Sequence, residues 1–134
     1  MSNLYPIKDV YIHPEIMNDI VGIAQTMTPE QFHEFYFGAF KKAIDDAKAD
    51  PFLPNTQLEY KLFGWSRLDF HSVMKPPRRM KRDYRFIYKY EPDTQDFYQL
   101  AVGPRNAKGH AGTSIYYTAQ VRPKTPGVWK KETE

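Results

Sequence analysis

Apolar residues fall into two periodic regimes along this chain, helical in the first half and strand-like in the second. Lys8–His13 (KDVYIH) is short and carries β-branched and aromatic residues, and Pro14 stops it, which predicts a first strand. From Glu15 the spacing changes: Ile16, Ile20, Ile23, Ala24 and Met27 recur at three- and four-residue steps, the stripe of an amphipathic helix. Thr28-Pro29-Glu30-Gln31 then places a hydroxyl at an N-cap, proline at the first helical position and glutamine at the capping-box position. The helix this starts runs to about Asp50, with Phe32, Phe35, Tyr36, Ala39, Phe40 and Ala43 on one broad face. Asp50-Pro51 ends it, because a residue before proline is pushed out of the helical region. Two helices joined by a tight turn form an αα-hairpin.

After Pro51 the pattern is β. Leu62–Val73 predicts a strand with a bulge or late start at Gly64, and Lys75–Asp83 a loop containing Pro76-Pro77. Tyr84–Tyr90 (YRFIYKY) and Phe97–Val102 (FYQLAV), joined by a turn over Glu91–Asp96, read as a hairpin. Asn106–Thr113 holds two glycines and predicts a flexible loop. Ser114–Val121 suits a strand or a short helix, and its local pattern does not choose between them. The order predicts an α+β fold: an N-terminal strand, an antiparallel αα-hairpin, then an antiparallel sheet of three or four strands. One domain is expected over 1–122, followed by a mobile tail over 123–134 rich in proline and charge.

Composition narrows the chemistry. The chain has 134 residues, room for one core, and no cysteine, so disulfides and thiol chemistry are out. His13, His33, His71 and His110 are scattered without ligand spacing, and neither a metal nor a cofactor is expected. No apolar run has membrane-spanning length and no signal-peptide pattern opens the chain, so a cytoplasmic protein without membrane association is expected. Charge is polarised. Residues 1–60 carry four Lys/Arg and nine Asp/Glu, a net of −5, whereas residues 61–134 carry fifteen and seven, a net of +8. Such a field attracts anionic polymers to one part of the surface.

The densest cations are Lys75, Arg78, Arg79, Lys81 and Arg82, followed by Arg85 within a strand. Tyr84, Tyr88 and Tyr90 interleave with them, and cations with aromatics are what single-stranded RNA recognition uses, for phosphates and for unpaired bases. Lys75, Arg78, Arg79, Lys81, Arg82 and Tyr88 are therefore candidate substrate-binding residues. Strand alternation points Arg85 to the face opposite Tyr84 and Phe86, where it needs an acid or an anion. Arg105 follows the next strand and is placed to reach the same region. His71 and His110 are the titratable candidates for acid–base work in the basic half.

Tyr84-Arg85-Phe86-Ile87-Tyr88, then Gly103-Pro104-Arg105, then Tyr116 to Arg122 with Ala119, resemble the motif series of the RelE/ParE superfamily of toxin–antitoxin toxins. The resemblance covers about residues 8–122. It implies a sheet with the helical hairpin on one face and an RNA-cutting or target-binding concavity on the other. For the mRNA interferase branch it implies metal-independent attack of an RNA 2′-hydroxyl on its own phosphate, commonly in the ribosomal A site, and an antitoxin as protein partner. Residue by residue, it makes Arg85 and Arg105 catalytic cations and Tyr116 the residue that orients or stacks the substrate. It assigns no general base. The ParE branch, which binds DNA gyrase without cutting RNA, and a non-toxic nucleic-acid-binding module on the same fold stay open.

Overall fold

The structure, a computed structural model, describes residues 4–53, 56–105 and 114–132. Strand β1 (Asp9–Ile12) leads into helix α1 (Ile16–Ala24). Helix α2 (Pro29–Glu34) continues through a π-helical turn at Phe35–Ala39 into α3 (Phe40–Ala49). The predicted cap is present in full: the Gln31 amide donates to Thr28 Oγ1 (3.2 Å), and the Thr28 amide donates to the Gln31 carboxamide oxygen (2.9 Å). Strands β2 (Ser66–Phe70), β3 (Tyr84–Glu91) and β4 (Asp96–Pro104) follow, then helix α4 (Ile115–Val121) and a short β5 (Lys130–Lys131).

The five strands form one sheet in the order β2-β3-β4-β1-β5. The β2–β3–β4 meander is antiparallel, as expected. The wholly antiparallel expectation gives way at β1, which pairs in parallel with β4 and makes the sheet mixed. The connection from β1 through the helical hairpin is long enough for such a crossover, which a tight turn is not. Ser114–Val121 resolves as a helix, capped by Ser114, whose hydroxyl accepts from the Tyr116 amide. The described residues 123–132, part of the expected tail over 123–134, run back along the sheet: β5 pairs with β1, and Trp129 stacks on Trp65 with ring centroids 5.8 Å apart.

Two apolar clusters sandwich the sheet. On one face Ile16, Ile20, Ile23, Phe35, Phe40 and Ala43 of the helices meet Phe70, Tyr84, Phe86, Tyr88, Tyr90 and Phe97. On the other, Ile115 and Ala119 of α4 meet Leu62, Trp65, Ile87, Leu100 and Ala101. A buried ion pair ties the layers together: Arg122 donates to Asp19 of α1 (2.8 Å) and to the Leu100 carbonyl (2.8 Å). Arg122 of the tyrosine-to-arginine motif is thus a structural clasp.

Candidate functional site

Arg85 leaves β3 on the α4 face and is almost fully buried. Its register partners are Asp69 on β2 and Gly103 on β4, so the three form one row across the sheet. The guanidinium makes a forked contact with Asp69, Nε at 2.7 Å and Nη2 at 3.2 Å from the two carboxylate oxygens. Such bidentate, charge-assisted pairs fix geometry as well as supply energy. Arg105, just past β4, approaches the same carboxylate at 3.4 Å with its side chain 38% exposed.

Helix α4 closes the arrangement. Its first residue, Ile115, packs so closely on β4 that a Cβ at Gly103 would lie 3.1 Å from Ile115 Cδ1. Glycine at that point of the motif therefore serves the approach of the helix. The next residue, Tyr116, lays its ring over Arg85, with the guanidinium carbon 4.5 Å from the centroid, a cation–π geometry. The Tyr116 hydroxyl accepts from Arg67 Nη1 at 2.6 Å.

Three predicted residues, Arg85, Arg105 and Tyr116, thus meet at one place although they come from three separate elements. Two more belong with them, Arg67 and Asp69. Sequence reasoning passed over both, yet an i, i+2 pair of charges inside a strand whose alternate residues are Leu68 and Phe70 already marks one polar face. Burial pushes the Asp69 carboxyl up, but its hydrogen bond to Arg85 and the charges of Arg85, Arg67 and Arg105 together outweigh this and hold it below its ordinary value of 3.8. Asp69 is a carboxylate throughout the neutral range. Asp69 occupies the guanidinium fork of Arg85 and Tyr116 covers it from above, which leaves Arg105 and Arg67 as the more exposed cations of the cluster.

The basic run forms a loop beside this centre. Lys75, Arg78, Arg79, Lys81 and Arg82 are all exposed, and none pairs with an acid among the described residues. The loop is stapled down at several points. The Ser72 amide and hydroxyl donate to Asp83 (2.8 and 2.7 Å), the Met74 amide donates to Glu34 (2.8 Å), and the Arg105 amide donates to the Asp83 carbonyl (2.8 Å). A groove of about 680 Å³ follows the outer edge of β2, with Arg67, Asp69, His71 and Arg82 on its walls.

The remaining candidates are not in the cluster. Tyr88, expected as a base-stacking residue, is fully buried on the helical face and donates its hydroxyl to the Pro51 carbonyl (3.0 Å). Strand alternation places it with Phe86, so it is a core residue and no platform for a base. His71 is partly buried, with Nε2 2.9 Å from the Met80 carbonyl, a contact that makes this nitrogen the donor and the ring another staple of the loop. His110 lies outside the described residues. No described helix is long and apolar enough to cross a membrane.

No protein-family model matches the chain, and no curated protein matches it. Among solved structures, the chain is similar to a doubly arginine-substituted mutant of the E. coli toxin RelE in the free state, at 12% sequence identity and a TM-score of 0.48, over 82% of this chain and 90% of that one.

Proposed function

We propose that this protein is the toxin of a toxin–antitoxin pair and acts as an endoribonuclease on mRNA, with the ribosome as the setting and an antitoxin as the protein that restrains it. One observation carries the reading: Arg67, Arg85, Arg105 and Tyr116 converge around Asp69 on a single sheet face, beside a loop of unpaired cations. The motifs that resemble the RelE/ParE superfamily supply the rest.

The chemistry follows from the charges. An RNA phosphate steered in by Lys75, Arg78, Arg79, Lys81 and Arg82 meets Arg105 and Arg67 first. As it enters, Tyr116 swings from Arg85 onto a base and the phosphate takes over the Arg85 fork. Asp69, released from its strongest partner, becomes a better base and accepts the proton of the adjacent 2′-hydroxyl. The 2′-oxygen attacks phosphorus and the 5′-oxygen departs, gaining a proton from solvent, to leave a 2′,3′-cyclic phosphate and a 5′-hydroxyl. Fixed guanidinium groups aimed at the developing phosphorane charge are the main source of rate in such a step, and no metal is invoked.

Tightly controlled expression in bacteria, with transcripts mapped for new 5′-hydroxyl ends, tests the proposal. Growth arrest with such ends, both lost in Arg105→Ala and in Arg85→Ala, is the expected result. Arrest with intact transcripts would move the reading to gyrase, to be checked by a supercoiling assay. Absence of arrest would end the toxin reading.

A further inference from the structure

The segment between the helical hairpin and β2 displays two large aromatic side chains to solvent: Tyr60 is 90% exposed and Phe63 is 83% exposed. Leu62 between them is buried, as is Trp65 just beyond, so the segment is anchored while its aromatics face outward. The backbone is closed on itself. The Leu62 amide donates to Glu59 O (3.1 Å), the Phe63 amide to Tyr60 O (3.0 Å), the Trp65 amide to Leu62 O (3.0 Å) and the Leu58 amide to Trp65 O (2.9 Å). Gly64, at φ +91°, turns the chain back, and Tyr60 itself is held at φ +56°. A bulky residue in the left-handed region is strained and persists only where its surroundings impose it.

We infer that Tyr60 and Phe63 form a stacking subsite for unpaired bases of an RNA strand bound at the arginine centre; this rests on the endoribonuclease reading above. The position of the tip supports it. Leu62 packs in the same cluster as Ile115 and Tyr116 of α4, so the tip and the tyrosine over Arg85 share one support. Phe63 lies four chain steps before Arg67, which limits their Cα atoms to about 14 Å apart, a span that a few nucleotides bridge. Tyr117, the next residue of α4, is itself 50% exposed. The tip is not a charge site, because Glu59 and Lys61 are both exposed and offset each other. Its contribution is π surface, which every base offers a face to, and the basic loop supplies the phosphate attraction. Rigid display lowers the ordering cost of such stacking.

The experiment compares the full-length protein with a Tyr60→Ala/Phe63→Ala variant and a Tyr60→Phe/Phe63→Tyr variant. The ligands are a short unstructured 2′-O-methyl RNA, which lacks the attacking hydroxyl, and an abasic sugar–phosphate oligomer of the same length, with affinity read by fluorescence anisotropy. The alanine pair is expected to weaken the base-bearing strand about 10-fold, leave the abasic strand unchanged and preserve the salt dependence. The aromatic swap is expected to retain wild-type affinity. Equal losses on both strands, or a melting temperature lowered in the alanine pair, would reduce the tip to a structural role. Unchanged affinity for the base-bearing strand would overturn the subsite and leave the tip to a protein partner, with the endoribonuclease reading intact. Failure of the wild-type protein to bind either strand would remove that reading and the subsite with it.

Discussion

Tyr84, Phe86, Tyr88 and Tyr90 alternate along β3 with Arg85, Ile87 and Lys89, and the two sets do different work. The first set is sealed under α1, α2 and α3, where aromatic rings such as Phe86 and Phe40 meet at 5.5 Å and the Tyr88 hydroxyl finds a carbonyl. The second lies under a short helix, and its first member is a guanidinium held by Asp69 and roofed by Tyr116. Both faces bury apolar area, but the α4 face also buries a guanidinium–carboxylate pair. Their difference teaches where substitutions should damage the fold and where they should damage the chemistry.

The contrast breaks most severely at Phe86. Phe86→Ala empties a fully buried ring position and should cost about 3–5 kcal/mol, measured by denaturant unfolding, with activity lost only through unfolding. Asp69→Ala comes next, because it leaves the buried Arg85 without its acid, and should cost about 3 kcal/mol. It should also abolish cleavage, which a stability loss of that size alone would not do. Arg105→Ala inverts the Phe86 result. With a partly exposed side chain, it should change stability by about 0.5 kcal/mol or less yet lower cleavage on the order of 100-fold. A large destabilisation there would show that Arg105 holds up the α4-face cluster and is not part of a site.

Proton titration sharpens the same comparison. Asp69 has its carboxyl held below the ordinary value, so the folded state binds its proton less readily than the unfolded chain. Its contribution is fully present above 3.8 and is lost as pH falls through the lower folded value. Asp69→Asn should flatten the acid limb of the stability curve. Tyr88 behaves in the opposite sense: burial pushes its hydroxyl up to about 12, against 10.0 ordinarily. Its contribution is present below 10.0 and disappears as pH rises toward about 12, and Tyr88→Phe should remove that alkaline loss.

The helical half was the more legible in the sequence. The capping box at Thr28–Gln31 and the aromatic face of the following helix are local signals, and the structure contains both. The hairpin of β3 and β4 was equally plain. What stayed hidden depends on distant partners. β5 is two lysines with no periodicity, recognisable only from its pairing with β1. α4 is too short and too rich in Ile, Tyr and Thr for propensity to choose its state, and its packing on β4 decides it. At the site, motif order brought Arg85, Arg105 and Tyr116 together, but Arg67 and Asp69 required assigning β2 to its two faces. Tyr88 was misplaced because its aromatic character outweighed an alternation that already paired it with Phe86.

The position of β1 bears on how the protein comes into being. Among the described strands, the first, β1, lies between β4, whose paired register begins at Asp96, and the last, β5 at Lys130–Lys131. During synthesis β1 therefore waits for its parallel partner until β4 (Asp96–Pro104) has been made. Pairing across such sequence separation is slow, since closing the loop costs entropy before any contact repays it. Tyr116, too, follows all three strands of the meander. The site thus gains the roof over Arg85 only after every strand of the β2–β3–β4 meander has been made.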